Sequence, residues 1–203
     1  FVGLPHRLDR GTSGALLIAR NQRALKRFGA QFHHRQVQKF YVALVEGSFL
    51  GPTQRWQDFL RKIENQAQAE IVPPEAPSAR LAELQVRPIY SDGVQSLVLI
   101  RMFTGRMHQI RLQLSCRGLP IAGDALYGSR STFCDGTSHA LHALRLEFRH
   151  PTSAIQMSAT APFPSSWSDA PADIQAACDR LCEFSSHSNA ANWELDSLEA
   201  FSP

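Results

Sequence analysis

The chain has 203 residues, enough for one domain or a domain with a short appendage on the usual scale of about 100–200 residues per domain. With 43% hydrophobic and 19% charged residues it is neither a disordered, a collagenous nor a coiled-coil chain, and no apolar run approaches the roughly 18–20 residues of a membrane-spanning helix. The net charge is only +3, but residues 1–65 hold 11 Lys or Arg against 4 Asp or Glu, whereas residues 151–203 hold 1 against 7. Almost all of the basic side chains are arginines, whose planar fork suits phosphate, so a polyanion would meet the first two thirds of the chain.

Residues 1–13 read as an extended or irregular segment punctuated by Gly3 and Pro5, followed by a short apolar strand from Ala15 to Ala19. Asn21 is placed to cap a helix with Leu25, Phe28 and Phe32 on one side and Arg23, Lys26 and Arg27 on the other. Phe40 to Val45 predicts a strand buried on both faces. Gly47 to Pro52 makes a turn, and Gln66 to Ala79, with Pro73, Pro74 and Pro77, reads as a surface excursion. Two strands, Leu81 to Tyr90 and Val94 to Met102, are joined antiparallel through Ser91-Asp92-Gly93.

Thr104 is the expected cap of a helix from about Arg106 to Arg117, buried through Met107, Ile110 and Leu114 and stopped by Gly118. Residues 139–149 and 155–160 read as two last strands. The order predicts an α+β domain over residues 1–165, a mixed, mostly antiparallel sheet with flanking helices, then an acidic tail over 166–203 with one short helix, Ala172 to Phe184. Cys116, Cys134, Cys178 and Cys182 lack the paired spacing of a zinc site, and their sparseness fits a reducing cytoplasm.

The densest polar cluster is His6-Arg7-Leu8-Asp9-Arg10-Gly11-Thr12-Ser13-Gly14. In an extended segment Arg7 and Asp9 point to one side and Leu8 to the other, which sets an acid beside an anion-binding group. That geometry suits an acid acting on a phosphate-bearing substrate; a surface salt-bridge cluster is the bland alternative.

The same stretch resembles the HRLDxxTSG signature of the RluA-type pseudouridine synthases at every defined position. Three later stretches are similar to that family in the same order: Lys39-Phe40-Tyr41-Val42-Ala43, then Gly105-Arg106-Met107-His108-Gln109-Ile110-Arg111, then Gly118 to Asp124 with Tyr127-Gly128, Leu141-His142-Ala143 and His150-Pro151. The resemblance covers about residues 4–163 and implies the pseudouridine synthase catalytic fold. Family members usually carry an upstream segment with an Asn-Lys-Pro-x-Gly-like stretch, so the expectation is a catalytic domain short of that segment.

Carried over by position, the resemblance implies Asp9 as the essential carboxylate, Tyr41 as the aromatic that stacks on the target base, and Arg111 as the cation paired with Asp9. Arg7, Arg10 and Arg106 are the implied phosphate contacts, with Arg7 also able to fill the space left by an everted base. His108 stands with the RNA-binding residues, although beside Gln109 it also suits a scaffold role in a polar network.

The implied reaction cuts the N-glycosidic bond of a uridine within structured RNA, turns the uracil and rejoins it through carbon. It needs no cofactor and no metal, and the sequence carries no P-loop, GxGxxG fingerprint or metal-ligand cluster. The expected partner is ribosomal large-subunit RNA before transfer RNA, met by a cytoplasmic monomer away from membranes. Two alternatives stay open. A catalytically silent RNA-binding protein would have no need of a carboxylate facing a phosphate backbone. A glycosidase or phosphoryl-transfer enzyme would need a second catalytic carboxylate or a phosphate loop.

Overall fold

Phe40 to Val45 are all buried, and the strand that carries them, β2 (Gln38–Glu46), runs through the middle of the sheet. The computed structural model describes residues 1–134, 136–168 and 170–187. Within them the other strands are β1 (Ser13–Gly14), β3 (Gln54–Lys62), β4 (Ala69–Ile71), β5 (Arg80–Ser91), β6 (Gln95–Met102), β7 (Leu141–Arg149) and β8 (Gln156–Thr160). Their order is β1-β7-β2-β6-β5-β3-β4, with β8 also paired to β7. Only β1 and β7 run parallel, so the sheet is the mixed, mostly antiparallel one expected.

Local chemistry explains most elements. The Asp92 carboxylate accepts the N–H groups of Val94 and Gln95 at 2.8 and 2.6 Å, and Gly93 takes φ +88°, which turns β5 back into β6. Asn21 caps α1 (Gln22–His33) as predicted, its Oδ1 accepting the Ala24 N–H at 2.8 Å. This helix packs through Phe28 onto Phe148 of β7, ring centroids 5.7 Å apart, in a small cluster with Ala19, Val37 and Leu146.

The main core joins β2, β5 and β6 to Ile110 and Leu114 of α2 (Gln109–Ser115) and to Ile174, Ala177 and Leu181 of α3 (Ala172–His187). Full burial of one such leucine contributes about 1.5–3 kcal/mol. Residues 188–203 of the expected acidic tail lie outside the described residues. Among the described residues no helix is long and apolar enough to cross a membrane.

Several expectations change. The stretch expected as a surface excursion, Gln66 to Ala79, holds β4, which pairs with β3 and buries Ala69, with Val72 buried just after it. The strand expected over Ala15–Ala19 is displaced: pairing with β7 occurs at Ser13–Gly14, and Leu16 and Ile18 are exposed. β3 was not foreseen, because Asp58 falls on its inward side; Gln113 Nε2 at 2.6 Å and Arg117 Nη2 at 3.0 Å, both from the region of α2, meet the carboxylate there. Helix α2 starts at Gln109 and not Arg106, since His108 takes a left-handed backbone (φ 51°). Thr104 does not cap it; its Oγ1 accepts the Glu83 N–H at 2.7 Å and donates to Gln109 Oε1 at 2.7 Å. Gly118 does close the helix, at φ +74°, with the Leu119 N–H bonded to the Leu114 carbonyl.

Candidate active site

The loop bearing Asp9 is fastened on both sides. Downstream, the Thr12 N–H bonds the Asp9 carbonyl at 3.0 Å in a turn that puts Gly11 at φ +83°. Thr12 Oγ1 lies 2.9 Å from His139 Nε2, Ser13 Oγ lies 2.8 Å from His142 Nδ1, and Ser13 and Gly14 pair with the start of β7. Upstream, His6 stacks on Phe32 at 4.5 Å and its Nε2 accepts the Leu17 N–H at 2.9 Å. Burial, followed by the charge of Lys39, pulls His6 down to about 4, so its ring is neutral and able to accept at neutral pH.

Between these anchors Arg7 and Asp9 border a cleft of ≈560 Å³, and Leu8 packs onto the main core while also bordering it. The other walls include the end of α1 with Arg35 and Val37 just beyond it, Lys39 and Tyr41 of β2, the segment from Met102 to Arg111 except His108, and Leu141. Tyr41 is both a core residue, 8% exposed, and a wall of the cleft. Burial first, and the Asp9 charge second, raise its phenol well above the usual tyrosine range, so the hydroxyl keeps its proton.

Arg111 also borders the cleft, but the expected direct pair with Asp9 is not the one formed. Its Nε and Nη2 donate to Asp124 Oδ2 and Oδ1, each at 2.7 Å, and its guanidinium lies 5.0 Å from the Tyr127 ring centroid. Thirteen residues separate the two along the chain, and the tight turns after Ile121 bring Asp124 onto the helix in fork geometry. Asp9 acts on Arg111 through its field: burial alone would lower the guanidinium, yet the bonds and charge of Asp124, then the charge of Asp9, hold it up. The Asp9 charge also reaches Tyr41 and, after that of Arg111, His108, Tyr127 and His139.

The sequence of residues 1–116 matches the family model described as RNA pseudouridylate synthase. The chain belongs to that family. It is 36% identical over 167 residues to a ribosomal large subunit pseudouridine synthase C of Vibrio vulnificus, covering 80% of this chain and 52% of the relative. It is 34% identical over 167 residues to an uncharacterized RNA pseudouridine synthase of Mycoplasma genitalium, covering 82% and 54%. The chain thus spans about half the length of the curated relatives it matches. Among solved structures, human RNA pseudouridylate synthase domain containing 1 superposes with TM-score 0.68 at 26% identity, over 87% of this chain and 80% of that one. The α+β fold of the sheet and its three helices is the fold of the RNA pseudouridylate synthase family.

The remaining residues singled out on sequence divide. Arg106 borders the cleft and donates from Nε to the Leu81 carbonyl at 2.9 Å. Arg10 is exposed and does not border it. His108 also stands apart: its Nδ1 lies 2.9 Å from the Tyr127 hydroxyl, and burial followed by the Arg111 charge lowers its basicity. Gln109 is a scaffold, its Oε1 accepting from Thr104 and the Arg106 N–H while its Nε2 donates to the Glu83 carbonyl. Sequence reasoning assigned no role to Asp124 or Lys39, although both sit inside stretches it quoted. No group of three or more His, Cys, Asp or Glu able to hold a metal occurs among the described residues.

Proposed function

We propose that this chain is an RNA pseudouridine synthase that isomerises a uridine in structured RNA, with Asp9 as the essential carboxylate. The observation that supports this most is that Asp9 and Tyr41 share one cleft, and that the acid's charge is felt at the phenol. A stacked uridine must be extruded to reach such a cleft, at a cost of a few kcal/mol that base stacking and phosphate contacts offset. Tyr41 offers the flat face, and its protonated hydroxyl can donate to the base. Arg7 and Arg106 offer charge at the cleft for the strand.

In the reaction the N1–C1′ bond breaks, the uracil turns, and C5 bonds to C1′. The proton lost from C5 is balanced by one gained at N1, so product and substrate are isomers and no oxidant or reductant enters. Attack at C1′ and proton removal at C2′ both require the same free carboxylate. Arg111, tied to Asp124, serves as a fixed positive group near Asp9. Large-subunit ribosomal RNA is the proposed substrate and transfer RNA the second choice, with a monomer working in the cytoplasm without metal or cofactor.

Mapping pseudouridines in ribosomal and transfer RNA from cells with and without the gene tests this reading. A site lost only in the deletion strain, and restored by the wild-type gene but not by Asp9→Asn, identifies the target. Unchanged maps together with retained RNA binding would instead identify a silent binder of the same fold.

A further inference from the structure

One part of the cleft wall carries three cations that make no ion pair among the described residues. Lys39 donates from Nζ to the Thr104 carbonyl at 3.0 Å, which uses one of its three N–H donors. The charges that act on it are two guanidinium groups, Arg35 and Arg106, and all three side chains border the cleft. Ion pairs among the described residues engage Arg55, Arg61, Arg111, Arg117 and Arg145, and none of these three. Glu83 lies in the field of Arg35 but is bonded elsewhere, by Arg55 Nε at 2.6 Å and Gln57 Nε2 at 2.9 Å.

Like charges gathered in one wall repel one another, and burial followed by the two arginine charges brings Lys39 down to about 8. An anion placed among them relieves that repulsion. Gly105 borders the cleft beside this group, where a Cβ would lie 3.3 Å from Lys39 Nζ. Lys39 and Tyr41 are two residues apart on β2, so they share a face about 7 Å apart along the strand.

We propose that Lys39, Arg35 and Arg106 form an anion subsite that takes one phosphodiester of the RNA strand beside the nucleotide facing Tyr41. The identity of the strand rests on the functional reading above; the subsite rests on the convergence of the three cations. The two Lys39 donors left by Thr104 and the free guanidinium donors supply the hydrogen bonds, and no base edge is read.

The test is the salt dependence of binding to a short single-stranded RNA containing uridine, measured on the full chain by fluorescence anisotropy. Removing one phosphate contact from a single strand lowers the slope of log affinity against log salt by about 0.7. Lys39→Gln and Arg35→Gln are each expected to weaken binding and to lose up to that slope, and the double variant is expected to lose no more, because one phosphate is shared. Arg35 is exposed, so its variant carries the test should Lys39→Gln fail to fold. Inorganic phosphate at matched ionic strength is the second probe, and weak competition that disappears in Lys39→Gln supports the subsite. Phosphate competition with unchanged RNA slopes marks a free-anion site and overturns the strand assignment. Wild-type slopes in a chain that still forms pseudouridine overturn the subsite alone; reduced slopes in a chain that forms none uphold the subsite and remove the functional reading.

Discussion

Arg111 holds Asp124 through two parallel bonds of 2.7 Å with both side chains nearly excluded from solvent, while Asp9 meets the same guanidinium only through its field. The cation near the loop acid is thereby fixed in place by a second acid, and the rest of its fork stays available toward the cleft.

Breaking that pair from one side leaves a buried charge without its partner. Asp124→Ala is expected to lower unfolding free energy by about 3–5 kcal/mol in urea denaturation. Arg111→Lys keeps the charge but cannot form the fork, and a smaller loss is expected. Equal stability of wild type and Asp124→Ala would show that the pair does not hold this region.

Asp9 carries no ion pair among the described residues, so replacing its carboxylate leaves no orphaned partner. Asp9→Asn is expected to unfold at a temperature close to that of wild type and to bind RNA with similar affinity, while pseudouridine formation falls below detection. Product release by this variant at the wild-type rate would take Asp9 out of the chemistry.

Gly14 joins the loop to β7 at a contact no side chain can share. Its φ is +116°, and a Cβ would run into the backbone carbonyl of Ala143. Gly14→Ala is expected to separate β1 from β7, release the Thr12 and Ser13 anchors, and cost about 2 kcal/mol or more. Gly51 also has positive φ (+106°) but open space around it, so Gly51→Ala should cost only the backbone penalty of about 1–2 kcal/mol. Thermal unfolding of the two variants side by side checks the difference.

His6 makes the loop sensitive to acid. Its folded-state value is depressed from 6.5 to about 4, so the contribution of the neutral ring is complete above pH 6.5 and declines as pH falls from 6.5 toward 4, where the unfolded chain takes up the proton first. Melting temperature should therefore drop more steeply across that window for wild type than for His6→Gln, whose amide oxygen can still accept the Leu17 N–H. Parallel curves would show that another group governs the acid response.

What could be read along the chain was written in neighbouring residues. Asn21 at a helix start, Asp92-Gly93 between two apolar runs, Gly118 at a helix end and the apolar stretch of β2 each act over a few positions, and each formed as expected. The signature around Asp9 belongs to this class too, since Gly11 and Gly14 are needed for the local path of the loop. Elements whose logic lies elsewhere were not legible. β3 carries an inward Asp58 that only Gln113 and Arg117 make tolerable, and α2 begins late because His108 reaches Tyr127 from a left-handed backbone.

By itself, then, the order of residues determined the sheet-and-helix class, the family and the two cleft groups Asp9 and Tyr41. Only the folded chain decided that Arg111 bonds Asp124 in preference to Asp9, that Arg10 and His108 stand outside the cleft, and that Lys39 joins Arg35 and Arg106 within it. The reason is physical. Backbone propensity and turn chemistry fall off within a few residues, whereas a guanidinium takes whichever carboxylate packing brings into its fork at hydrogen-bond distance, and packing is a property of the whole chain.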